Sequence, residues 1–185
     1  MLFRSRSTES VERRPFTLEE IREVLKHADP EWQSLIRFGL YTGQRLADIA
    51  SLKWKNLDLG AHQLRLKARK TGKVLLLPIA PPLMESLKKN QGDAQLDAPI
   101  HPNAFNLVIQ DKRSSQLSNQ FAQILASAGL REKTTHAKKR NGNGRGGKRE
   151  SNSLSFHCLR HTAVTLLKEA GVPNAVVMEI GRAHV

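Results

Sequence analysis

Several residue types on which whole function classes depend are scarce in this sequence. One cysteine, Cys158, stands among 185 residues, which excludes an internal disulfide framework and any site built from several thiolates. Dithiol redox chemistry and zinc-thiolate sites go with it. Aromatic residues make up only 5% of the chain, and a single tyrosine, Tyr41, is among them. No apolar run approaches the ~20 residues that a membrane-spanning helix needs. The start, Met1-Leu2-Phe3-Arg4-Ser5-Arg6, lacks the apolar core of a signal peptide, so a cytoplasmic location without a membrane partner is expected. Acids are scarce too: 17 Asp and Glu face 30 Lys and Arg, a formal charge of +13. That surplus calls for a polyanionic partner, and nucleic acid is the first expectation. The acids that exist are scattered, with no pair or cluster spaced for metal work, so no metal or cofactor is expected.

With 39% hydrophobic residues, the chain has enough apolar material for one domain with a real core. Residues 1–15 carry Arg4, Arg6, Arg13 and Arg14 without apolar periodicity and read as a linker or arm. Structure begins at Phe16, where Thr17 and Glu20 have capping-box spacing and Phe16 and Ile21 that of a hydrophobic staple, predicting a helix to about Ala28. Asp29-Pro30 punctuates. Trp32, Leu35, Ile36 and Leu40 then recur at helical spacing up to Thr42-Gly43, and Ile49 and Leu52 continue a second short helix containing Arg45 and Asp48. Trp32 and Trp54 are expected in the core.

From Gln63 the period changes to two. Leu64, Leu66 and Ala68 fall on one face and Gln63, Arg65 and Lys67 on the other, before Lys70-Thr71-Gly72-Lys73 and the apolar run Val74–Leu77, which predicts a hairpin with a basic tip. Helices are expected near Pro82–Lys89 and Ser118–Ala128, the second stopped at Gly129, and a last one over about Phe156–Ala170 with Gly171 as its stop. Between Arg131 and Arg149 eight basic residues face one acid; interleaved with Asn and Gly, the stretch 131–153 reads as a mobile basic loop. The fold class is α+β, mainly α, with a small antiparallel sheet or hairpin.

The stretch most informative for chemistry is Ser155-Phe156-His157-Cys158-Leu159-Arg160-His161-Thr162-Ala163. On a helix, Phe156, Leu159, Ala163, Leu166, Leu167 and Ala170 form an apolar stripe. His157, Arg160 and His161 share an arc beside it, which would bring two imidazoles and a guanidinium to one small volume at a helix N-terminus, a setting suited to an anion. Cys158 is expected to be buried. A second motif is Gly39-Leu40-Tyr41-Thr42-Gly43-Gln44-Arg45-Leu46-Ala47-Asp48, in which an Arg opens a helix and Asp48 is placed to orient it. Taken singly, an Arg-x-x-Asp pair reads as a surface ion pair and a hairpin-tip Lys as a solvated charge.

Together, Arg45 with its surroundings, the Lys70-Thr71-Gly72-Lys73 hairpin and His157-x-x-Arg160-His161, in this order, resemble the catalytic domain of the tyrosine recombinases, the phage-integrase family. The resemblance covers residues 16–180. It implies double-stranded DNA as partner, self-association on DNA in the intact protein, and site-specific recombination or integration through strand cleavage and rejoining by a 3′-phosphotyrosyl intermediate. By the same resemblance Arg45 and Arg160 grip the scissile phosphate, Lys70 protonates the leaving 5′ oxygen, and His157 assists proton transfer and phosphate binding, with Asp48 and His161 in support. Lys73 rivals Lys70 for its role. With Lys138, Lys139, Arg140, Arg145, Lys148 and Arg149 it is expected to lie along DNA. Such a site needs neither metal nor ATP, because Arg forks and a cationic acid neutralise the charge a phosphodiester displacement builds.

The pattern breaks at its end. The family's nucleophilic tyrosine lies beyond a Gly-His or similar motif that follows the segment corresponding to Val176–Ile180. His184 follows Gly181-Arg182-Ala183 and does not match that motif, and Tyr41 precedes Arg45 in the wrong place. Ile180–Val185 is what ATC-GGA-AGA-GCA-CAC-GTC encodes, a common sequencing-adapter sequence, which makes residues 181–185 a candidate non-native tail. The chain is therefore expected to be a cleavage-inactive fragment of a recombinase. The alternative is a non-catalytic DNA-binding protein that has kept the phosphate-gripping residues.

Overall fold

The computed structural model describes residues 12–132 and 152–173. The capping box is formed as expected: Thr17 Oγ1 accepts the Glu20 amide and Glu20 Oε2 accepts that of Thr17. It starts α1 (Leu18–Lys26), and Phe16 and Ile21 are both buried at the staple. Asp29 caps the Trp32 amide at 2.8 Å and Pro30 occupies the first turn of α2 (Pro30–Thr42). Gly43 ends α2 in the left-handed conformation, φ 62°, which glycine adopts without a Cβ penalty.

Helix α2 is the axle of the molecule, packed by α1, by α3 (Leu46–Ala50), by α4 (Pro81–Gln91) and by α7 (Phe156–Glu169). It buries Trp32, Ser34, Leu35, Ile36, Phe38, Gly39 and Thr42, as a helix enclosed on most sides must. Its approach to α7 depends on Gly39, where a Cβ would stand 2.7 Å from Phe156 Cζ. Trp32, Phe121 and Phe156 close the neighbouring space, with ring centroids 5.3 to 6.5 Å apart. They join α2 and α7 to α6 (Ser114–Ser127).

The sheet is antiparallel, in the order β1 (Leu57–Asp58), β2 (Gln63–Lys67), β3 (Val74–Pro78). The β2–β3 hairpin pairs Lys67 with Val74 and Gln63 with Pro78. The alternation in β2 is as read from sequence: Leu64 and Leu66 are buried, while Gln63, Arg65 and Lys67 are exposed. The apolar run of β3 is not buried throughout, since Val74 and Leu76 face outward. A further short helix, α5 (Pro102–Phe105), runs into a π-helical turn over Asn106–Gln110. Its first amides, those of Asn103 and Ala104, are accepted by the Glu31 carboxylate of α2. Trp32 and Trp54 lie in the core, and Cys158 is fully buried. Among the described residues no helix is long and apolar enough to cross a membrane.

Candidate functional site

Helix α2 ends at Gly43, and the two residues that turn the chain into α3 are Gln44 and Arg45, with Arg45 as N-cap. On the facing helix α7, Arg160 lies one turn in from the start. Its guanidinium Nη1 donates to the carbonyl of Gly43 at 3.2 Å. Arg160 is therefore buried, 7% exposed, rather than standing beside the apolar stripe as helix geometry alone suggests. Leu166 and Leu167, predicted to belong to that stripe, are half-buried, and Ala170 is exposed. The inward turn of Arg160 fixes the end of α2 against α7, and with it the backbone that presents Arg45.

His157 and His161 remain exposed on α7, with ring centroids 5.1 Å apart in an edge-to-face arrangement. Partial burial holds the His157 pKa below the usual imidazole range, reinforced by the positive charges of His161, Arg13, Arg160 and Arg45. Burial likewise lowers the pKa of Arg160, with Arg45 adding to the effect. These mutual influences mean that Arg45, His157 and Arg160 occupy one region and repel one another. Among the described residues no carboxylate forms an ion pair with Arg45 or His157. One Arg45 terminal nitrogen, Nη1, is buried without a hydrogen-bond partner among the described residues. A cluster of cations with an unsatisfied donor is stabilised by an anion that accepts from several of them. Arg45 and His157 line a cavity of about 830 Å³, floored by Phe121 and Phe156.

Asp48 does not pair with Arg45 as expected. Its Oδ1 accepts the backbone N–H of Arg69 at 2.9 Å, and Oδ2 is buried without a partner among the described residues. The carboxylate thus ties α3 to the tip of the β2–β3 hairpin one residue before Lys70. Geometry explains the difference: Asp48 sits in the first turn of a five-residue helix and is 2% exposed, pointing toward the sheet. Lys70 and Lys73 are both exposed on the turn, which is shaped by Gly72 in the left-handed region and by the Gly72 amide bonding the Ala68 carbonyl. The hairpin is anchored beside α3, and its lysines stand outside the cavity.

Sequence reasoning missed two members of this region. Gln44 is 3% exposed, bonds the Thr42 carbonyl through Nε2 and lines the cavity. Its place next to Arg45 was the available signal. Arg131 lines the cavity as well, and with the Asn152 amide turned to satisfy both of its ends, its oxygen accepts from Arg131 Nε and Nη2 at 2.9 and 3.1 Å. That pairing joins the two ends of the stretch expected to be a basic loop. Lys138, Lys139, Arg140, Arg145, Lys148 and Arg149 themselves, like residues 174–185, lie outside the described residues. Among the described residues no three of His, Cys, Asp and Glu gather as a metal site would require.

A mainly helical domain with a small three-stranded antiparallel sheet is also the fold of integrase catalytic domains. The chain belongs to the phage integrase family, whose model matches residues 14–184. Solved structures agree in fold. XerA recombinase matches with a TM-score of 0.63 at 17% identity, over 91% of this chain and 56% of its own. The integrase from mycobacterium phage Brujita matches with a TM-score of 0.63 at 21% identity, over 90% and 48%. Lambda integrase matches as its catalytic core, TM-score 0.59 at 18% identity over 91% and 90%. It matches again bound to DNA, 0.61 at 16% over 92% and 56%, and as a tetramer bound to a Holliday junction, 0.59 at 17% over 92% and 45%. The chain spans about half the length of the XerA and Brujita proteins. Among curated proteins there is no match.

Proposed function

We propose that this chain is the DNA-phosphate-binding and catalytic portion of a tyrosine-type site-specific recombinase, acting on double-stranded DNA and self-associating on it in the intact protein. The observation that supports this best is the meeting of Arg45, His157 and Arg160 at the start of α7, a cluster of positive groups with a buried, unsatisfied guanidinium nitrogen. Family membership and the DNA-bound state of lambda integrase point the same way. Its tetramer on a Holliday junction supports self-association.

In this reading Arg45 and Arg160 hold the non-bridging oxygens of the scissile phosphate. A phenolate oxygen from a tyrosine attacks phosphorus, the bond to the 5′ oxygen breaks, and that oxygen takes its proton from the Lys70 ammonium. His157, whose pKa partial burial and its cationic neighbours lower, accepts a hydrogen bond or proton at the incoming side. An arriving phosphate offsets those neighbours and raises its basicity. His161 supports it edge to face. Asp48 fixes the hairpin that carries Lys70. The residues 1–185 hold one tyrosine, Tyr41, on α2 and before Arg45, so the chain by itself binds and neutralises phosphate without displacing it.

Two measurements on one preparation test the reading. Duplex DNA binding weakens steeply with salt, log K falling by roughly 0.9 per phosphate neutralised, and Arg45→Ala and Arg160→Ala each flatten the slope. With a nicked suicide substrate, no denaturant-stable adduct forms. Salt-insensitive binding overturns the phosphate site, and an adduct mapped to Tyr41 overturns the chemistry.

A further inference from the structure

The segment that enters the domain ahead of α1 is held more firmly than a linker needs. The Arg14 amide donates to the Ser153 carbonyl at 3.3 Å, just before α7. Two residues on, the amide of buried Phe16 donates to Thr162 Oγ1 at 2.8 Å, and that hydroxyl donates to the Cys158 carbonyl within α7. Between these points the Arg14 guanidinium makes a two-pronged pair with Glu20, at 2.8 and 2.6 Å. Glu20 also accepts the Thr17 amide. The backbone from Arg14 to Thr17 is thus fixed at both ends, to the α7 helix that carries His157 and to α1.

Arg13 precedes these anchors directly. It lines the same cavity as Arg45 and His157, and its charge is one of those that hold the His157 imidazole below its ordinary pKa. Arg13 is exposed, and among the described residues no carboxylate pairs with it. A guanidinium on the surface usually finds an acid or faces bulk water. This one lines a cavity that the guanidinium-bearing Arg45 and Arg131 also line, an arrangement of like charges that costs free energy until an anion arrives.

We propose that Arg13 is a phosphate-binding residue of this site, gripping the backbone phosphate next to the one held by Arg45 and Arg160, so that the segment entering the domain is part of the DNA interface. The proposal rests on the reading of Arg45 and Arg160 as phosphate ligands and adds a further cation, from outside the family motifs, on the His157 side of the cavity. DNA suits the geometry because consecutive phosphates present negative charge at regular intervals, whereas a lone anion between Arg45 and Arg160 has no second group to offer Arg13. A fixed backbone also means that little ordering is needed when Arg13 engages.

Two readouts on the same chain test it. In a salt titration of duplex binding, Arg13→Ala lowers the log–log slope by about 0.9, one phosphate's worth, and weakens low-salt affinity on the order of tenfold. Arg13→Lys keeps the slope and Arg13→Glu lowers it further. In DNA-free protein followed by NMR, Arg13→Ala raises the His157 pKa and Arg13→Lys does not, an electrostatic signature that a merely structural role would not give. An Arg13→Ala slope equal to wild type, while Arg45→Ala flattens it, overturns the proposal and leaves the phosphate site standing. A slope change without the imidazole shift overturns the placement beside His157. If wild type and Arg45→Ala are both insensitive to salt, the phosphate site itself is wrong and Arg13 falls with it.

Discussion

The Arg160 guanidinium reaches across from α7 to the carbonyl of Gly43, donating from Nη1 at 3.2 Å, and so one side chain both closes the C-terminal end of α2 and stands in the cation cluster. A guanidinium can do this because it is planar, permanently charged and presents donors along more than one edge; an ammonium is a single point charge. Arg160→Lys is expected to keep part of the charge and lose the geometry. Arg160→Ala leaves the Gly43 carbonyl without this donor, at a cost of about 1–3 kcal/mol of stability. Urea unfolding of the two variants beside wild type, with the DNA salt slope measured in parallel, separates the structural loss from the loss of a phosphate ligand.

A second prediction concerns the closeness of α2 and α7. A methyl group at Gly39 would stand 2.7 Å from Phe156 Cζ and 3.0 Å from Leu159 Cδ1, and the Phe156 ring is hemmed in by Trp32 and Phe121. Overpacking of this kind costs about 1–3 kcal/mol, against roughly 1 kcal/mol gained by replacing a mid-helix glycine with alanine. Gly39→Ala is expected to lower Tm by several degrees and to weaken DNA binding, because α7 shifts relative to Arg45. A variant as stable as wild type would show that the ring moves aside freely.

What could be read from the sequence was local. The Thr17–Glu20 box, the Asp29-Pro30 start, the glycines at 43, 129 and 171 and the period-two pattern of Gln63–Lys67 each act over a few residues, and each element appears where its signal lies. The rest depends on partners far along the chain. Strand β1 has two residues and exists because Leu57 and Asp58 pair with Leu64 and Gln63. The start of α5 is satisfied by Glu31, more than seventy residues earlier. At the site, the types and order of Arg45, His157 and Arg160 were legible from motifs. That Asp48 would serve the Arg69 amide, that Arg160 would turn inward to Gly43, and that Arg13 would share the cavity were not, since helix arithmetic places a side chain on an arc without saying what faces it.

His101 makes stability depend on pH. It is fully buried, with Nε2 2.9 Å from Ser34 Oγ and its ring edge to face with Phe38, and burial pushes its pKa from 6.5 down to about 4. The folded state therefore binds fewer protons than the unfolded state between those values, and stability rises with pH there. The contribution is complete above about pH 6.5 and is lost as pH falls toward about 4, on the order of 3 kcal/mol in all. His157 acts in the same direction, so the informative quantity is the difference between wild type and His101→Gln. Unfolding free energies from pH 7.5 to 4.5 are expected to converge as pH falls, and parallel curves would show that His101 does not titrate as argued.

The last prediction separates the two lysines of the hairpin and the carboxylate that anchors it. If Lys70 donates the proton to the departing 5′ oxygen, its removal matters only while the leaving group needs that proton. A sulfur in place of the 5′ oxygen departs as a thiolate, the conjugate base of a group of pKa about 8.5 rather than of an alcohol, and needs no acid. In a chain extended by a tyrosine-bearing C-terminal segment, Lys70→Ala is expected to slow cleavage of ordinary DNA by 10²-fold or more, the usual worth of a general acid, and to cleave the sulfur-substituted strand at nearly the wild-type rate. Lys73→Ala should matter less on both. Arg160→Ala should be slow on both, because the charge it neutralises sits on the non-bridging oxygens whatever the leaving atom. Asp48→Ala, which frees the Arg69 amide that Asp48 Oδ1 now accepts, should resemble a weaker Lys70→Ala, with partial rescue by sulfur and faster amide exchange at Arg69. If Lys73→Ala shows the sulfur rescue and Lys70→Ala does not, the roles of the two lysines are reversed. If neither does, the proton comes from elsewhere in the site.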